Sequence, residues 1–155
     1  MRLSLKTILV AGLVAGTLDL ALAITFFAVT AHAPFSAIPH AVASGLLGAR
    51  AFRLGIASAV LGIFLHYFIA LTVAAVYFAA SLRIRFLNRH PVLSGAAYGI
   101  AVFLVMQFIV LPLSRCGPSH PRLPWLTADI ASHIVFIGIT IALITRHYAT
   151  RVSDA

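Results

Sequence analysis

The chain has 155 residues, 62% hydrophobic and only 9% charged, with a formal net charge of +8 and a mean hydropathy of +1.08. A soluble domain is about half apolar and a quarter charged. With three acids (Asp19, Asp129, Asp154) and no Glu, the composition excludes a typical soluble enzyme, a disordered tail and a coiled coil, and implies an all-α integral membrane protein.

Four apolar runs reach the length that spans a hydrocarbon core, about 20 residues. They lie near 7–30, 55–82, 92–113 and 126–144. Each must be helical, because backbone polar groups in lipid have to be satisfied within the segment. One four-helix transmembrane domain over 1–155 is therefore expected. The first run follows Arg2 and Lys6, and Ala31-His32-Ala33 resembles a signal-peptidase site. Its length exceeds an ordinary signal-peptide core and Asp19 interrupts it, so a retained helix is the favoured reading.

Asp19 is the sharpest polar signal. It sits near the middle of the first span, where an Asp costs about 2.5–3.5 kcal/mol on insertion scales. It shares a helical face with Gly12, Gly16 and Ala23. Two readings are open: a buried acid that hydrogen-bonds a neighbouring helix, or part of a functional site.

The segment near 36–53 is too short to span. Ser36 is a plausible N-cap and Pro39 falls in the first turn. Ile38, Val42, Leu46 and Leu47 line one side, and Arg50 and Arg53 close the segment. A short interfacial or re-entrant helix is expected here. In the second span, Gly62, His66, Ala70, Val73 and Tyr77 form one small or polar stripe.

The third span carries Gly95-x-x-x-Gly99, matching Gly12-x-x-x-Gly16 in the first. Such pairs let helices approach closely. The first and third spans run in the same direction with glycines at similar depth, so they are expected to pack on each other. A weak 2+2 internal repeat fits the same pattern, as does chance similarity. Gln107 lies in the far half of the third span. Beyond it, Arg115 to Trp125 with Pro118, Pro121 and Pro124 reads as a stiff, extended loop. Trp125 falls where an interfacial anchor belongs, and the lone Cys116 can form no internal disulfide.

In the fourth span Asp129 and His133 stand at i and i+4 and can touch, with Thr140 continuing their face. A carboxylate on a ring N–H fixes the tautomer, which suits proton transfer or metal ligation. The other reading is a polar staple at the helix start. Counting residues from the helix ends at 1.5 Å each puts Asp19, His66, Gln107 and His133 in one layer about 8 Å thick. These residues, with Asp129, are the candidate polar pocket.

Seven Lys or Arg fall on the side of the termini (residues 2, 6, 83, 85, 89, 146 and 151) and four on the other (50, 53, 115 and 122). The imbalance puts both termini in the cytoplasm, with anionic lipid headgroups as the partner of the basic ends. Aromatics interleaved with a basic stripe are missing, so nucleic acid is not expected.

The order of motifs from His66 onward is distinctive. His66 is followed by Tyr77, Gly95 and Gly99, then Pro112-Leu113, Leu123-Pro124-Trp125, and an acid four residues before a histidine. Gly12-Leu13-x-Ala15-Gly16 belongs to the same pattern. In these features the chain resembles the YagU-like family of small bacterial inner-membrane proteins. Asp129 stands where the family pattern has a Glu, and that pattern does not require an acid at position 19. The resemblance implies an inner-membrane location and a loose link to acid tolerance, and no catalytic residue.

Three functions stay open. The first is a non-enzymatic protein whose pocket senses pH or handles protons or a small solute. The second is a redox subunit with haem b or a metal held by His66 and His133. The third is a structural subunit or homo-oligomer joined through Gly12, Gly16, Gly95 and Gly99. No GxSxG motif, haem-attachment motif or zinc spacing is present.

Overall fold

A computed structural model of the chain describes residues 2–116 and 123–153. Pro118, Pro121, Arg122 and Asp154 lie outside the described residues. Among those described, the chain is all-α. Four helices are long and apolar enough to cross a membrane: α1 (Arg2–Ala31), α3 (Ile56–Arg83), α5 (Pro91–Leu113) and α6 (Leu123–Ala149). A short α2 (Ala37–Leu47) and a 3₁₀ segment (Gly48–Arg53) join α1 to α3, and α4 (Arg85–Arg89) joins α3 to α5.

The helix ends follow from local chemistry. At the end of α1, His32 turns to a positive φ of 51° and Pro34 follows. Gly48, at φ 62°, stops α2 in a conformation that only glycine takes without strain. Pro91 opens α5 at a first-turn position that needs no N–H donor.

That last rule corrects the expected loop through Trp125. Leu123, Pro124 and Trp125 are already helical, with Pro124 in the first described turn of α6 rather than in an extended segment. Among the described residues the fourth span therefore begins at Leu123, three residues earlier than 126. Ser36 also departs from expectation: its backbone is helical (φ −77°, ψ −10°) and its side chain makes no capping bond. The buried side of α2 is Pro39, Ala43 and Ser44, whereas Leu46 is exposed. The reason lies in α3, where Gly62 leaves room for the Pro39 carbonyl to sit directly against it.

The glycine pairs are paired differently from the expectation. Gly12 and Gly16 meet Leu71, Ala70 and Tyr67 of α3, and Gly95 and Gly99 meet His133, Ile134, Gly138, Ile139 and Ala142 of α6. The first and third spans therefore do not pack through their glycines; each packs on the span that follows it. A GxxxG face specifies close approach, not the partner. Both faces are filled by neighbouring helices of the same chain.

The half of the bundle nearest the termini is tightly closed. Ala11, Ala15, Ala74, Tyr77, Ile137, Ile141 and Ala142 form its core, and the Lys6 ammonium lies 5.8 Å from the Tyr148 ring centre. Tyr77 and Tyr98 meet edge to face at 5.0 Å. The Tyr77 hydroxyl is 3.0 Å from Ser94 Oγ, and the Tyr98 hydroxyl donates to the Val73 carbonyl at 2.7 Å. Ser94 Oγ also reaches the Leu87 and His90 carbonyls, at 3.0 and 2.8 Å, which secures the turn between α3 and α5.

Candidate functional site

The half of the bundle remote from the termini encloses a cavity among the described residues. A cavity of about 570 Å³ lies between the end of α1, the middle of α3, the end of α5 and the start of α6, with α2 alongside. Asp19, His66, Gln107, Asp129 and His133 all line it. The five polar residues come from four helices and share one space.

Asp19 is half-buried, and the buried Ser132 hydroxyl donates a short hydrogen bond to its Oδ1. This bond joins α1 to α6. His66 points from α3 back to α1, with Nε2 2.8 Å from the Gly16 carbonyl oxygen. A carbonyl only accepts, so Nε2 carries a proton and donates it to Gly16. Gly16 matters twice here, since its missing side chain admits Ala70 and its carbonyl holds His66.

His133 Nδ1 lies 2.9 Å from the backbone oxygen of Asp129 and 3.2 Å from its carboxylate. Both are acceptors, so Nδ1 is the protonated nitrogen and Nε2 is available. The ring stands edge-on to Phe103 at 5.7 Å, which fixes its plane.

Two π-helical segments border the cavity. Met106–Val110 contains Gln107, and His133–Ile139 begins at the histidine itself. A π turn widens the helix and shifts the face each residue presents, and such turns recur at functional sites. In α6 the His133 ring hydrogen-bonds the Asp129 carbonyl one turn back. Thr140, expected to continue the Asp129–His133 face, instead donates to the Val135 carbonyl five residues back, at 3.1 Å.

Several lining residues carry little signal in the sequence. Ser132 reads as an ordinary helical serine; its signal is only its place beside His133. Trp125 is half-buried, lines the cavity and packs on Phe27 with ring centres 4.7 Å apart. α2 supplies Ile38, Ala41 and Val42 to the wall, and Cys116 lines it too, with its sulfur 3.4 Å from Ser44 Oγ. The Arg115 N–H donates to the Gly45 carbonyl at 2.9 Å, so α2 ties α3 to the end of α5.

For the haem alternative, the ring geometry is informative. His133 offers Nε2 as a ligand atom, but His66 Nε2 is committed to the α1 backbone. Paired ligation through both Nε2 atoms would have to break that interhelical bond. Among the described residues no group of three or more His, Cys, Asp or Glu is placed to hold a metal ion. No family model, curated protein or solved structure matches the chain.

Proposed function

We propose that this protein is a non-enzymatic, multi-pass protein of a bacterial inner membrane whose cavity is a protonatable binding site, used to sense pH or to handle protons or a small solute. The observation that carries the reading is the convergence of Asp19, His66, Asp129 and His133 on one cavity, in spans where each ionisable group is costly. The distribution of Lys and Arg supports cytoplasmic termini, with the cavity in the outer half of the bundle. The closed Tyr77–Tyr98 core beneath it favours a one-sided binding site over an open pore.

The chain contains one tryptophan, and Trp125 is on the cavity wall. Histidine is the side chain that ordinarily changes charge between about pH 5 and pH 8. In detergent-purified protein, Trp125 emission is expected to follow a sigmoidal titration within that range. The midpoint should move or vanish in His133→Ala and in Asp129→Asn. A flat emission profile from folded wild-type protein across the range would refute a protonatable pocket.

A further inference from the structure

The charge distribution around the cavity narrows what it would hold. The chain has eleven Lys and Arg against three acids. Two of those acids, Asp19 and Asp129, line the cavity, and among the described residues no Lys or Arg does. A strongly basic protein therefore lines this space, among its described residues, with acids and no basic side chain longer than histidine.

The charges inside do not balance. The titratable groups facing the cavity are Asp19 from α1, His66 from α3, Cys116 after α5, and Asp129 and His133 from α6. His133 is paired with Asp129. His66 spends its Nε2–H on a neutral carbonyl. Asp19 is held by a neutral hydroxyl, with no Lys, Arg or His within salt-bridge distance among the described residues. A carboxylate in that setting is stabilised by a proton or by an external cation.

The rest of the wall says which cation. It is mostly apolar, with Phe26 and Phe27 from α1, Trp125 from α6 and Met106 from α5. Aromatic faces attract organic cations, and an apolar wall penalises a hydrated inorganic one. The ligand set for a bare metal ion is missing among the described residues. A volume of about 570 Å³ falls within the range of small-molecule sites.

We propose that the cavity binds a lipophilic organic monocation, such as a hydrophobic ammonium or phosphonium, with Asp19 as its counter-charge and the Phe26–Phe27–Trp125 wall against its apolar body. The proposal rests on reading the cavity as a ligand site, and it names the ligand class.

The test is equilibrium dialysis of the full chain in detergent with labelled tetraphenylphosphonium and, in separate samples, with labelled tetraphenylborate, an ion of the same shape and opposite charge. Saturable phosphonium binding is expected, at least about tenfold tighter than any tetraphenylborate binding and weakened about tenfold or more in Asp19→Asn. Far-UV circular dichroism establishes that the variant is folded. Should it fail to fold, the charge selectivity of the wild-type protein carries the test without a mutation. Tetraphenylborate binding of similar affinity, unchanged phosphonium affinity in folded Asp19→Asn, or no saturable phosphonium binding overturns the proposal. Phosphonium failing to bind while Trp125 still titrates removes the ligand class and leaves the protonatable pocket standing. Binding with a flat Trp125 titration does the reverse.

Discussion

Gly138→Ala should be among the most destabilising single-methyl changes in the bundle. An added Cβ there would run into the Gly95 carbonyl oxygen and would lie 2.7 Å from the Gly99 nitrogen and 2.8 Å from the Gly99 α-carbon. Carbon atoms rest at about 3.5–4.0 Å, so α5 and α6 must separate by about 0.7 Å to clear the Gly99 α-carbon alone. All three atoms are backbone, and no side chain can swing aside. Overpacking costs about 1–3 kcal/mol, and a rigid backbone clash belongs at the upper end. Alanine returns about 1 kcal/mol in helix propensity, which leaves a net loss of about 2 kcal/mol. Gly45→Ala is the matched control, since its Cβ would sit 3.8 Å from Cys116 Sγ and Ser114 Cβ, an ordinary van der Waals distance. It should be neutral or stabilising by about 0.5–1 kcal/mol. Thermal unfolding in detergent, followed by far-UV circular dichroism, ranks the pair. Equal stability of the two variants would show that α5 and α6 do not meet at these glycines.

Two further outcomes probe each half of the bundle. Ser132→Ala removes the hydroxyl that joins α6 to Asp19 and should cost about 1–2 kcal/mol; in a double-mutant cycle with Asp19→Ala, strictly additive losses would disprove the bond. Ser94→Ala should lose more stability than Tyr77→Phe, because it leaves the Tyr77 hydroxyl with only the Leu87 carbonyl at 3.4 Å. The reverse order in thermal unfolding would contradict the hydrogen bond between Tyr77 and Ser94.

The spans are legible in the sequence because crossing a membrane demands only length and apolarity, and both can be counted. Depth is legible for the same reason: a fixed rise per residue places Asp19, His66, Gln107 and His133 in one layer before any helix is packed. Azimuth and partner choice are not. Gly12-x-x-x-Gly16 announces a flat face, yet nothing in it distinguishes α3 from α5 as the neighbour. Gly138 does carry a signal, since Gly138-x-x-x-Ala142 is a small-residue pair in its own right. Pro124 misleads because three prolines at equal spacing suggest a loop, although the first turn of a helix accepts proline freely. Ser132 is invisible because its partner lies 113 residues away.

The acids show where composition stops and packing begins. Their scarcity identifies a membrane protein, but it does not explain why two are kept inside the spans. If Asp19 served packing alone, a carboxamide would accept the same Ser132 hydrogen bond without a charge to desolvate. The packing role therefore accounts for a polar side chain at position 19 and not for a carboxylate. The carboxylate makes sense against its surroundings: a cavity with aromatic walls, a histidine committed to backbone, a second histidine paired with its own acid, and, among the described residues, no Lys or Arg in the lining. In that setting a negative charge gives the cavity an unmet electrostatic demand, and a bound proton or cation satisfies it.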